Sequence, residues 1–425
     1  MLDIQRIRNE TDAVKRGLAT VGVEAAAVDD VLALDERRRD LQREGDARRA
    51  ELNAKSKEIG RERDPEKRKA LIEAVAAVKQ AIKEVETAVP VVEKQLNDLM
   101  LSIPNVPLPE VPVGPDETHN VVIEVVGDEP VFDFEPKPHW EIMERLGIID
   151  FERGQKVSGS RFYFLCGDGA RLQRALITWM LDVHTREHGY TELYSPVMVR
   201  SECLYGTGNL PKFGDNLYRD AEEDYWFIPT GEVPVTNFYR DEILDVSQLP
   251  RKHVTYTPCF RREKMSHGKD TRGIKRGHQF DKVELVQFVH PDRGRAALDE
   301  LTGHAQKLLA MLGLRHRRIS ICTGDLSFVA AIKFDLEAWS PASSEWLEVS
   351  SCSLFEDFQA RRARIRFKDE SGKNRFVHTL NGSGLALPRV LISLVETFQQ
   401  RDGTVRIPEV LRPYMGGQER IAPAS

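Results

Sequence analysis

The segment Phe260-Arg-Arg-Glu-Lys-Met-Ser-His-Gly-Lys-Asp-Thr-Arg-Gly273 and its continuation to Glu284 crowd arginine and lysine into a polar loop that runs into an apolar strand. Such a loop has the composition of a polyanion clamp. Arginine's rigid fork can hold carboxylate and phosphate oxygens together, so one guanidinium can align an acid against a phosphorus centre and offset the charge that develops there. A second feature, Glu348-Val-Ser-Ser351, sets an acid and two hydroxyls at the end of a strand, oxygen ligands that suit magnesium arriving with ATP. The third, Leu380-Asn-Gly-Ser-Gly-Leu-Ala-Leu-Pro-Arg389, is a glycine turn that leads into the apolar helix Val390 to Phe398, with Pro388 suited to the first turn. It is neither of the common glycine-rich phosphate loops. Taken singly, each has an ordinary reading: a solvated hairpin tip, a surface strand and a turn before a helix.

These features need a large scaffold, and the chain supplies one. Its 425 residues exceed the ~150 of a single domain about threefold, which points to two domains or one with an appendage. With 41% hydrophobic and 30% charged residues and eighteen Phe, it reads as a globular enzyme rather than a membrane or disordered protein. The first ten residues lack the apolar core of a signal peptide and no window approaches a membrane span, so the cytoplasm is the expected location. Lys plus Arg total 61 against 67 Asp plus Glu, a net charge of -6 that argues against a protein coated with nucleic acid and requires any polyanion to be met locally. The five cysteines, Cys166, Cys203, Cys259, Cys322 and Cys352, include no CxxC pair, so they read as reduced, buried thiols and no zinc site is expected.

From residue 27 to about 103 the composition turns to Ala, Glu, Lys, Arg, Leu and Val, the make-up of long helices. Leu71, Val75, Val78, Ile82, Val85, Val89, Val92, Leu96 and Leu99 follow the alternating four- and three-residue spacing of a coiled-coil seam. Leu34, Leu41, Leu52 and Ile59 give the preceding stretch a weaker stripe that Arg38, Gly45, Arg48 and Lys55 interrupt. Between the two, Gly60 can close one helix, Asp64 can cap the next and Pro65 suits its first position, so the helices should fold back antiparallel, with Pro90 a candidate kink. Residues 35 to 69 carry thirteen Lys or Arg against ten Asp or Glu, a local +3 that is either a solvated helix face or a surface for phosphates. Five prolines within residues 104–118 mark a linker. Beyond it, β-rich segments at 161–165, 225–229, 283–290, 319–322 and 331–336 alternate with helical ones such as 171–188, a pattern that predicts an α+β domain with a mostly antiparallel sheet. The expected division is 1–103 for the helical arm, 104–118 for the linker and 119–425 for the catalytic domain.

Taken together, the arginine loop, the acid-hydroxyl strand and the Gly-Ser unit resemble motifs of class II aminoacyl-tRNA synthetases, and more narrowly of the seryl-tRNA synthetases. Gly189 to Pro196 resembles motif one, Phe260 to Glu284 motif two and Asn381 to Arg389 motif three; Thr207 to Phe213, Thr230 to Asn237, Ser350 to Ser353, Phe358 to Arg362 and Pro408 to Met415 match stretches peculiar to the seryl enzymes. The resemblance spans essentially the whole chain. It implies a homodimer with a six- to eight-stranded antiparallel sheet, preceded by a tRNA-binding coiled-coil arm. It further implies ATP, L-serine and tRNA(Ser) as substrates, leaves tRNA(Sec) open as a second acceptor, and includes neither DNA nor membrane among the partners.

By the same resemblance, Arg261 spans the serine carboxylate and the α-phosphate, Arg262, Glu263, His278, Gln279 and Phe280 lie around ATP, and Arg389 reaches the triphosphate tail. Glu348 and Ser351 would hold Mg2+, with Val349 and Ser350 beside the nucleotide. Thr230, Gly231, Glu232, Arg261, Glu284 and Ser383 would line the serine pocket. For His267 and His278 a structural role outweighs an acid–base one, because no paired spacing accompanies them. Four places depart from the family pattern: Gly231 stands where alanine is frequent, Lys264 to His267 where small residues are, and Leu354 and Pro388 where Asn and Gly are. Two other readings stay in view. An activating protein that loads a carrier protein should lack the arm, and a non-catalytic RNA-binding relative should have lost Arg261 and Arg389.

Overall fold

The computed structural model describes residues 1–264 and 272–423, so Met265 to Thr271, with His267 among them, lie outside the described residues. The chain forms two compact units, Met1–Pro104 and Asn105–Ser425. The first holds two short helices, α1 (Ile4–Asn9) and α2 (Thr11–Ala19), and two long ones, α3 (Ala25–Arg61) and α4 (Pro65–Ser102). At 1.5 Å per residue, the 38 residues of α4 span about 57 Å. All nine residues of its predicted seam are buried or half-buried.

On α3 the expected interruptions prove to belong to the seam. Gly45 is buried, and Arg38, Arg48 and Lys55 are half-buried. A Cβ at Gly45 would stand 3.3 Å from Val85 Cγ1, so the glycine lets the two helices close where a larger residue would hold them apart. The long basic side chains cover apolar surface with their stems and keep their charge at the rim. Asp35 is wholly buried; Arg8 donates to both its oxygens at 2.6 Å, and Arg38 and Arg39 lie at 2.9 and 3.2 Å. Gly60 does not end α3, which runs on to Arg61. Asp64 caps α4 by accepting the N–H groups of Glu66 and Lys67, with Pro65 at the first turn, and Pro90 sits inside a helix that continues past it.

The second unit is built on an eight-stranded sheet. Its strands are β1 (Val121–Val126), β2 (Thr191–Glu192), β3 (Arg251–Phe260), β4 (Gln279–Val289), β5 (His316–Ser320), β6 (Ile332–Ser340), β7 (Glu345–Leu354) and β8 (His378–Ala386). Their spatial order is β1-β5-β6-β7-β8-β4-β3-β2, antiparallel throughout except for the β2–β3 edge pair. Three helices, α5 (Asp168–Arg186), α6 (Gly294–Met311) and α7 (Leu387–Thr397), pack their apolar faces on the sheet and share one core with it. The close approach of α6 has a local cause. A Cβ at Gly382 on β8 would meet Leu301 Cδ2 at 2.2 Å, so only glycine admits that leucine.

Two expected strands shrink to short bridges, Phe164–Leu165 and Trp226–Phe227, and Glu348, expected at a strand end, lies within β7. The proline-rich segment is pinned to the second unit: Asn105 donates its side-chain amide to the carbonyls of Val329 and Phe355, and Val106 and Val111 are buried. Among the described residues no helix is long and apolar enough to cross a membrane.

Candidate active site

The site occupies the face of the central strands opposite α5, α6 and α7, where two short helices, Glu232–Thr236 and Phe358–Ala363, also pack. On β4, period-two alternation sends Val283 and Leu285 into the core and turns Phe280, Lys282 and Glu284 the other way. On β8, Leu380 enters the core while Asn381 and Ser383 share the site face. Strand β7 contains a bulge: Glu337 pairs with Glu348 but Leu336 pairs with Ser350, which leaves Val349 as an extra residue. The inward phase consequently changes from Leu347 and Val349 to Cys352 and Leu354. Glu348 and Ser351, of opposite parity in sequence, thereby face the same cleft.

That cleft, about 630 Å³ and open to solvent, is lined by Arg261, Glu263, Phe280, Glu348, Val349, Ser350, Ser351, Ser383 and Arg389, together with Lys275, Arg276, Lys282 and Pro388. Arg261 sits at its inner end, where Nε donates to the carbonyl of Pro229 at 3.2 Å and the guanidinium lies 5.1 Å from the centre of the Phe280 ring. Arg389 donates to the Glu348 carbonyl at 2.7 Å and stands 3.5 Å from its carboxylate. The cleft walls partly desolvate Glu348, whose side chain is still 47% exposed, and Arg389, Lys333, Arg261 and Lys282 outweigh that and hold the carboxyl below its ordinary range. Behind it, burial pushes Asp335 up to about 7 against the pull of Lys333.

Next to the cleft lies a buried polar pocket. Glu232 accepts from Gln359 Nε2 at 2.5 Å and from Asn381 Nδ2 at 2.9 Å, and the same Asn381 nitrogen donates to Glu284 at 3.0 Å. Lys282 Nζ donates to Thr230 Oγ1 at 2.9 Å and pairs with Glu284 at 2.5 Å. Burial first, and Glu284 second, push Glu232 up to about 7. Gly231 fits tightly, since a Cβ there would come within 2.8 Å of Thr255 Cγ2. The alanine frequent in the family has no room beside this threonine.

The raised Glu232 has a consequence for stability. Its carboxyl holds a proton in the fold up to about pH 7 but releases it near 4.5 when unfolded, so this group costs stability increasingly as pH rises from 4.5 to 7. At about 1.4 kcal/mol per pH unit, the cost approaches about 3 kcal/mol. Glu232→Gln should remove most of it. Urea unfolding at pH 5 and pH 8 should show a smaller loss in the variant than in the wild type, and equal losses would contradict the assignment.

Not every expected site residue faces the cleft. The Arg262 guanidinium lies 5.9 Å over the Tyr218 ring. His278 uses Nδ1 to bond the Arg261 carbonyl at 3.0 Å and leans on Phe162, a positioning contact. Gln279 is exposed beside a neighbouring groove that includes Tyr256 and Asp281. Leu354 is packed in the core, and Pro388 sits in the first turn of α7. Sequence reasoning missed Lys282, Asn381, Gln359 and Arg276. For Lys282 a signal existed, because it lies midway between Phe280 and Glu284 on one strand face. Gln359 reaches the pocket from a separate helix and left no local trace.

Residues 1–107 match the family described as Seryl-tRNA synthetase N-terminal domain, and residues 215–398 match the tRNA synthetase class II core domain of the G, H, P, S and T enzymes. Among curated proteins, a serine–tRNA ligase of Thermomicrobium roseum is 56% identical over 99% of this chain and 95% of its own length, and one of Chloroflexus aurantiacus is 54% identical over 100% of both. Among solved structures, seryl-tRNA synthetase from Pyrococcus horikoshii complexed with ATP is similar over 100% of both chains, with a TM-score of 0.95 and 37% identity. With identity at this level over its full length, and with both domains matched, the chain belongs to the seryl-tRNA synthetase family of class II aminoacyl-tRNA synthetases.

Proposed function

We propose that this chain joins L-serine to tRNA(Ser) through a seryl-adenylate made at the junction of the cleft and the buried pocket. The observation that carries the reading is the place of Arg261. Its backbone anchor is Pro229, next to Thr230 of the pocket, and its guanidinium lies over Phe280 in the cleft, so one side chain serves both compartments. Serine enters the pocket of Thr230, Gly231, Glu232, Glu284 and Ser383, where the acids receive its ammonium and hydroxyl. ATP lies in the cleft with adenine against Phe280, the α-phosphate at Arg261 and the tail toward Arg389; Glu263, Val349 and Ser350 complete the wall, and Arg262, His278 and Gln279 support the hairpin behind it.

Serine's carboxylate, already an ionised nucleophile, attacks the α-phosphorus and pyrophosphate departs. The terminal ribose hydroxyl of tRNA then attacks the acyl carbon, and AMP leaves. Glu348, kept ionised by its cationic neighbours, and the Ser351 hydroxyl fit Mg2+, an ion that takes one or two protein oxygens and completes its shell with phosphate. Mg2+ bound there would neutralise phosphate charge. The chain works as a homodimer: the wholly exposed Tyr194, in the segment resembling motif one, and the exposed Val121, Val122, Ile123 and Val125 of edge strand β1 offer apolar surface for a second copy. Five free cysteines suit the cytoplasm.

The reading is tested by amino-acid-dependent exchange of pyrophosphate into ATP. Serine should support it, and exchange that occurs only with another amino acid, or with none, would refute it. Arg261→Ala should lower that exchange by about 10²–10³ while the melting temperature stays near wild type, because the variant loses charge stabilisation at the reacting phosphate rather than core packing. An unchanged rate would remove Arg261 from the mechanism.

A further inference from the structure

The buried pocket carries a cation of its own. Lys282 is 6% exposed, and its ammonium stands 2.5 Å from Glu284 and 2.9 Å from Thr230, two groups assigned to the substrate under the proposed function. The same side chain lines the open cleft beside Arg261 and Ser350. Glu284 and Glu232 meet across one Asn381 amide, so without Lys282 two acids would lie together in a nearly water-free space. Such an arrangement is unfavourable unless a positive charge is present. The ammonium of an α-amino acid bound to Glu284 and Thr230 would need the position Lys282 holds, and two cations cannot share it. Lysine's unbranched, flexible stem permits the exchange, because its charge can leave one partner for another without moving the backbone.

We propose that Lys282 is a stand-in for the substrate ammonium: it neutralises the empty amino-acid pocket and, when serine takes its place at Glu284 and Thr230, its charge moves into the cleft, so that filling one compartment strengthens the hold on triphosphate in the other. The inference rests on the assignment of serine to the buried pocket and ATP to the cleft. Coupling of this kind is reciprocal: serine tightens nucleotide binding by the factor by which nucleotide tightens serine binding.

The test uses the full chain, L-serine and α,β-methylene-ATP with Mg2+, an analogue that cannot release pyrophosphate. Calorimetric titration of the analogue, with and without saturating serine, should show serine tightening it about tenfold in the wild type. In Lys282→Met the ratio should fall to within about twofold of one, and serine alone should bind more tightly than to wild type, since its internal competitor is gone. A purely structural lysine would instead weaken serine on removal. Lys282→Gln keeps donors for Thr230 and Glu284 without the charge and should lose the coupling in the same way, which covers a Met variant that does not fold. A wild-type-sized ratio in either folded variant overturns the inference, as does a wild type without coupling. Wild-type protein with no serine-dependent exchange would overturn the underlying assignment instead, so the two failures are distinguishable.

Discussion

Replacing residues 30 to 100 by a short flexible linker is expected to leave serine-dependent exchange within about an order of magnitude of wild type while charging of tRNA falls by about 10³ or more. The two halves of this expectation have separate grounds. Residues 1–104 form a compact unit with its own seam, and every residue assigned to serine or ATP lies in 105–425, whose core is self-contained. The removed segment includes residues 35 to 69, with thirteen basic against ten acidic side chains in a chain of net charge -6. Every tRNA phosphate left without its basic partner lowers affinity and flattens the dependence on salt, and several together reach the magnitude given. Double-stranded RNA is read largely by shape and backbone, a task suited to a long helical hairpin. Both half-reactions should be measured on one preparation. An armless protein that charges tRNA as efficiently as the full chain would make the hairpin a structural appendage.

How far the sequence disclosed this arrangement differs from element to element. The α4 seam was legible because its apolar residues are unbroken and their spacing is strict. The α3 side was legible only in outline: Arg38, Gly45, Arg48 and Lys55 look like breaks in an apolar stripe, yet they occupy the seam itself, because glycine allows close approach and long basic stems bury their methylenes. Helices α1 and α2, with six and nine residues, are too short for periodicity to declare them. Strand β3 escaped notice because its site-facing threonines and terminal basic residues hide the alternation.

In the site, Arg261, Glu348 and Arg389 were legible from chemistry and family pattern, and the structure gathers them at one cleft. That Glu348 and Ser351 share a face depends on a bulge at Val349, which residue spacing does not encode. Lys282 was overlooked for a different reason. A lysine in a charged segment reads as solvated, whereas the fold buries it, pairs it with Glu284 and has it donate to Thr230.

The buried pocket is expected to select serine by its hydroxyl. A pocket of apolar groups could separate serine from alanine only weakly, but a pocket of buried acids and hydroxyls leaves them unpaired when the substrate hydroxyl is missing, and sites of this kind reject the analogue by about 10⁴. Here the groups at stake are Thr230, Glu232, Glu284 and Ser383, all buried, with Asn381 and Gln359 already committed to the two acids. Threonine keeps the hydroxyl, so its exclusion depends on shape, and alanine is the cleaner probe. The decisive measurement is kcat/KM for exchange of pyrophosphate into ATP with L-serine and with L-alanine, on the same enzyme at the same pH. A ratio of about 10⁴ in favour of serine is the predicted result; comparable exchange with the two amino acids would contradict it.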